Sequence, residues 1–239
     1  MINMKYKKSP LDRFLEQRIN DNAKELKQTL NETLRMEQNC LEQIRHSISH
    51  CKNNIAACEE QIKKCSLASL PIYEAKKSAF KDNLLICNTM GHIQMASIEM
   101  KEYLKRLSVE SIDEWEQRDV IKSVYTAIYE TSKKLVDATA DIFKFIKHYF
   151  PNYDYRAFTD VRKELCRFRE SNTSELTRVR NTIDAHRDLE VSVQMEVIEG
   201  LHLSNVLRLI VEYGEIVNKL GNVTSPIKEL GLKRLQACF

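Results

Sequence analysis

Five glycines and four prolines are spread over 239 residues, about a third of ordinary usage. A β-sandwich, a dinucleotide-binding sheet or a β/α barrel turns its chain every ten residues or so, and turns consume Gly and Pro. This chain cannot supply them. Its 43% hydrophobic and 30% charged residues are too apolar for disorder and suit long amphipathic helices. An all-α fold is predicted.

The prolines stand at 10, 71, 151 and 226, and no Gly or Pro occurs between Leu11 and Leu70. Ser9-Pro10 is a helix start, with Ser as cap and Pro at the first helical position. Within the first segment Leu34, Leu41, Ile48, Ile55 and Ile62 form one seven-residue series, and Ile44, Cys51, Cys58 and Cys65 a second. The two alternate by three and four residues, as the a and d positions of a coiled coil do. After Ser69-Leu70-Pro71 a second heptad reads Ile72, Ala79, Ile86, Ile93, Met100, Leu107, with Ala75, Ala96 and Tyr103 beside it and Asp82 and Thr89 interrupting it. Two heptad helices joined by a Pro-containing turn predict a long antiparallel coiled-coil hairpin. Its second arm would run about 54 Å.

Ser111 and Glu114 have capping-box spacing, which predicts a helix over 112–149 ending before Pro151. Further helices are predicted over 158–188 and 192–220, the last stopped by Gly221, with a loop and a short terminal helix after it. The predicted organisation is a hairpin at 1–109, a helical bundle at 110–222 and a tail at 223–239.

No run of 18 apolar residues is present and MINMKYKKSP lacks the apolar core of a secretory signal, so neither a membrane span nor export is expected. Seven cysteines, none in a CxxC pair, read as reduced thiols in the cytoplasm. A net charge of +3 is too small to imply nucleic acid or membrane by itself.

Motif chemistry is sparse. GxGxxG, GxxxxGK[ST], GxSxG and HExxH are all absent, which removes common nucleotide-binding, hydrolase and zinc-protease classes. Cys51, Cys58 and Cys65 step about 10.5 Å along a helix, too far for one tetrahedral ion, and read as small core hydrophobes. Glu42, His46 and His50 have chelating spacing, but on the polar face of the seam. Phe143, Phe145, Tyr149, Phe150, Tyr153, Tyr155 and Phe158 could stack on bases; packing under an interhelical loop is the favoured reading. No cofactor or metal is implied.

Residues 178–188, RVRNTIDAHRD, crowd charged side chains around one histidine. His is matched to proton transfer near neutral pH, and the planar Arg fork to phosphate. Together they suffice for metal-free RNA cleavage, in which the 2′-hydroxyl is the nucleophile. Surface pairing, Arg180 with Asp184 and His186 with Glu190, explains the same residues. On a straight helix Arg180 and His186 lie six steps of about 100° apart, on different faces. One site would need the helix to end between them, or a second chain.

Arg180-Asn181-Thr182-Ile183-Asp184-Ala185-His186 resembles the signature of the HEPN superfamily: Arg, a polar residue, a short gap, then His. The ending Ala185-His186-Arg187-Asp188 is similar to that of its abortive-infection-like branches. The resemblance covers about 112–221. It implies an all-α bundle that dimerises so that two Arg–His motifs meet in a cleft, and, for many members, metal-independent ribonuclease activity in toxin–antitoxin or abortive-infection systems. On that resemblance His186 would be general acid/base, Arg180 the phosphate clamp and Asn181 an orienting group, with Arg178 and Arg187 steering RNA. The partners implied are RNA and a second copy of the chain, with the hairpin open to an antitoxin or partner helix. The rival readings are a non-enzymatic coiled-coil interaction protein and an inactive HEPN module that binds RNA or nucleotide.

Overall fold

The computed structural model describes residues 10–185 and 191–238. It is all-α: six helices and one π-helical turn, with no strand among the described residues. They are α1 (Pro10–Lys64), α2 (Leu70–Val109), α3 (Glu114–Tyr149), α4 (Arg156–Val179), the π turn (Arg180–Ala185), α5 (Val191–Glu199) and α6 (Leu203–Gln236). No helix among the described residues is long and apolar enough to cross a membrane. The chain forms two compact units, 1–36 with 96–133 and 167–215, and 37–95 with 134–166 and 216–239. Both units take residues from each side of position 109.

The predicted hairpin is present, and its antiparallel sense is fixed in the second unit. Glu59 of α1 accepts an ion pair from Lys77 of α2 at 2.7 Å. Farther from the turn, a methyl group on Gly91 of α2 would stand 3.6 Å from Ile44 Cγ2 and 3.9 Å from Ile48 Cδ1. Steps back along α1 are thus matched by steps forward along α2. The α2 stripe is buried at Ala79, Ile86, Ile93, Ala96, Met100 and Leu107, whereas its first member, Ile72, is exposed. Thr89 keeps its place in the seam by donating to its own helix, Oγ1 to Leu85 O at 2.9 Å.

Three boundaries differ from those predicted. The cap of α3 is Asp113, not Ser111: Asp113 Oδ1 accepts the Glu116 N–H at 2.8 Å, satisfying one of the free amides of the first turn. The helix predicted over 192–220 is broken at Gly200-Leu201-His202, where α5 ends and α6 begins. Most consequentially, α6 does not stop at Gly221 but continues through Pro226 to Gln236. Pro226 removes one helical hydrogen bond and costs about 3 kcal/mol in an interior. The apolar stripe nevertheless persists through Val217, Leu220, Ile227 and Leu230, all buried, and its burial at about 1.5–3 kcal/mol per large side chain outweighs that loss. Residues 222–236 are therefore helix rather than a tail.

The far end of α6 meets α2 at its closest approach. Asn83 Nδ2 donates to Gly231 O and to Ala79 O, both at 2.9 Å. A Cβ at Gly231 would lie 2.7 Å from Ile86 Cδ1 and 2.8 Å from Asn83 Oδ1. The aromatic stretch fills the core beside it. Phe145 and Phe158 are buried with Ile86, Ile142, Ile146, Ile227 and Leu230, and Phe143, Tyr149, Phe150, Tyr153 and Tyr155 pack against that cluster. The packing reading of these rings holds. At the exposed face Glu42 pairs with Arg45 at 3.4 Å, and His50 Nε2 lies 3.2 Å from Asn54 Nδ2.

Two glycines in helix interiors should respond to alanine with opposite signs. Gly91→Ala adds a methyl at ordinary contact distance and should raise stability by about 0.5–1 kcal/mol. Gly231→Ala gains the same propensity but forces Asn83 and Ile86 apart at a typical overpacking cost of about 1–3 kcal/mol, so it should lower the melting temperature. Thermal unfolding of the two variants followed by circular dichroism checks both signs.

Candidate functional site

The candidate site lies in the first unit and begins where α4 stops being an α-helix. Buried Leu176 and Val179 hold the last turn of α4 in the core. At Arg180 the winding widens into a π-helical turn that continues to Ala185. Such turns are rare and concentrate at functional sites.

Arg180 is held from three sides. Its Nε donates to Glu130 Oε1 of α3 at 2.9 Å, and its Nη1 to Asn181 Oδ1 at 3.2 Å. The guanidinium carbon stands 5.0 Å from the centroid of the Tyr129 ring, within the range of a cation–π attraction. The Arg180 and Glu130 side chains keep 30% and 38% of their exposure. That is enough water to limit the pair to about 0–1 kcal/mol. The geometry therefore orients Arg180 more than it stabilises the fold.

Arg178 is exposed and acts on a second buried network. Tyr125 of α3 donates its hydroxyl to Glu175 Oε1 of α4 at 2.9 Å. Burial, with the Glu175 carboxylate beside it, pushes the Tyr125 phenol above its ordinary value, against the smaller opposing pull of Arg178 and Arg208. Tyr213 of α6 is likewise raised by burial; it stacks on Phe168 at 5.4 Å and donates to Thr131 Oγ1 at 2.9 Å. These contacts seat α4 and α6 against α3 and so set where the π turn starts.

Of the residues singled out in the sequence, Arg180 and Asn181 are adjacent and hydrogen-bonded, and Arg178 lies on the last turn of α4. His186 and Arg187 lie outside the described residues. Glu130 and Tyr129 carry no sequence signal: they hold Arg180 from fifty residues away, and no periodicity links the two positions. Among the described residues, no group of three or more His, Cys, Asp or Glu side chains converges as metal ligands do. No protein-family model matches the chain, and no curated protein or solved structure matches it either.

The two buried phenols set an alkaline limit on the fold. Each is held above the ordinary tyrosine value of 10.0, so unfolding releases a proton wherever the pH exceeds that value. Their contribution is fully present below about pH 10 and is lost as pH rises further. Tyrosinate absorbance from Tyr125 and Tyr213 should appear only together with loss of helical signal. A single transition covering all nine tyrosines in the folded protein would contradict the burial.

Proposed function

We propose that this chain is a metal-independent endoribonuclease of the HEPN type, acting as a homodimer in the cytoplasm. The observation that carries the reading is that the π turn holds Arg180 and Asn181 of the motif, together with the three-sided hold on Arg180. A pre-oriented guanidinium loses little freedom on meeting a phosphate, and positioning of this kind is a large part of catalysis.

In the proposed reaction the ribose 2′-hydroxyl attacks the adjacent phosphorus and the 5′-oxygen leaves, giving a 2′,3′-cyclic phosphate. A His186 imidazole accepts the hydroxyl proton, and an imidazolium returns one to the leaving oxygen. The Nη donors of Arg180 not taken by Asn181 offset the charge on the pentavalent phosphorane. Asn181 fixes the Arg180 fork through its carboxamide oxygen, and Arg178 and Arg187 attract the backbone of the RNA. The dimer brings two motifs together, which removes the need for Arg180 and His186 to share a helix face. An antitoxin or partner helix on the hairpin belongs to the same reading.

One observation favours the alternative of a non-enzymatic interaction protein or inactive RNA-binding module: Glu130 already neutralises Arg180. RNA cleavage in EDTA separates the readings. Wild type should yield cyclic-phosphate or 3′-phosphate ends, and Arg180→Ala and His186→Ala should each lower the rate about 100-fold or more. Equal cleavage by all three proteins would refute the assignment, and RNA binding without cleavage by wild type would establish the inactive module.

A further inference from the structure

The hairpin holds two cysteines that the ribonuclease reading leaves unused. Cys51 of α1 and Cys87 of α2 are buried in the second unit, at 5% and 6% exposure. Cys51 belongs to the first heptad seam, and Cys87 directly follows Ile86 of the second. The Glu59–Lys77 ion pair lies on the turn side of them and the Ile44–Gly91 contact on the other. This antiparallel register sets the two cysteines across from one another. On the same seam Cys58 is also buried, whereas Cys65 is half-buried and donates to a carbonyl of its own helix, Ile62 O, at 3.6 Å.

We propose that Cys51 and Cys87 form a redox-responsive pair in which a peroxide converts the two thiols into one disulfide that fastens α1 to α2. Cys87 is the nucleophile. The neighbouring Cys51 thiol and the Lys228 ammonium of α6 hold its thiol down at about 7, while the neighbouring Cys87 and burial push Cys51 up. One sulfur therefore has thiolate character and the other keeps its proton, the division of labour that thiol oxidation requires. The Cys87 thiolate attacks one peroxide oxygen and the O–O bond breaks. Hydroxide leaves and takes up the proton released by Cys87, giving water and a sulfenic acid on Cys87. The Cys51 sulfur then attacks the Cys87 sulfur, breaking its S–O bond. The departing hydroxide takes the Cys51 proton and leaves as a second water. Two thiols and one peroxide thus become one disulfide and two waters, with both electrons passed to the peroxide. The new bond closes the segment from 51 to 87, which includes the hairpin turn, and restricts the unfolded chain.

The test uses the full wild-type chain, reduced and freed of reductant, then treated with graded hydrogen peroxide under native conditions. Remaining thiols are alkylated after unfolding and the peptides mapped by mass spectrometry. The expected result is one intrachain disulfide joining Cys51 to Cys87, with Cys58 and Cys65 alkylated. The melting temperature should rise by several degrees and fall back on addition of dithiothreitol. Cys51→Ala and Cys87→Ala should each lose the linked peptide entirely, and Cys58→Ala should retain it. Free, alkylatable Cys51 and Cys87 after oxidation of the folded wild type, or a disulfide through any other pair, would overturn the proposal even if a variant failed to fold.

Discussion

The second unit is organised by how closely other helices can approach α2. Asn83 is the centre of that constraint: its carboxamide is buried, donates to Ala79 O within α2 and reaches Gly231 O on α6. A buried amide left without partners costs about 1–3 kcal/mol, so α6 must come near enough for its backbone to serve as acceptor. Only glycine at 231 permits that approach, because a Cβ there would overlap Ile86 and Asn83. The same helix receives α1 at Gly91, where Ile44 and Ile48 stand at contact distance. Polar satisfaction and steric fit thus select one register for both neighbours, and the heptad stripes alone would not distinguish it from a slip of one turn.

In the first unit the comparable role falls to α3. Tyr125 binds Glu175, Thr131 accepts from Tyr213, and Glu130 with Tyr129 holds Arg180. The first and third fix the last turns of α4 and the start of the π turn, and the second seats α6. A widened turn disturbs the regular bonding of the helix and is kept only where surrounding contacts hold it. Arg180, with its charge and ring contacts, is such a contact. The proposed chemistry depends on this: an arginine presented on a held turn can meet a phosphate without reorganising, which is where electrostatic catalysis gains its advantage.

The hairpin was legible in the amino-acid sequence because a seven-residue repeat is local information, written in every turn of the helix. The buried aromatic cluster at 143–158 was legible for the same reason that large rings are usually interior. The extension of α6 was not, because Gly221 and Pro226 are local stop signals that yield to tertiary burial of Val217, Leu220, Ile227 and Leu230. The break at Gly200 was missed because the apolar pattern runs across it, and the cap at Asp113 was misplaced because neighbouring Ser111 offers nearly equal local chemistry. Arg180 and Asn181 stood out by residue type and spacing. Glu130 could not, since the pairing of positions 130 and 180 exists only once α3 and α4 have packed.

The central functional claim is that Arg180 touches a phosphate. The most direct measurement is the salt dependence of binding to a single-stranded RNA whose reactive 2′-hydroxyls are replaced by hydrogen, so that no cleavage occurs. Each phosphate contact contributes a slope of about −0.7 in log K against log salt for a single strand. Arg180→Ala should bind more weakly than wild type, with its slope shallower by about 0.7. Identical affinity and slope in the two proteins would contradict the account and leave Arg180 as a structural tie between the π turn and α3.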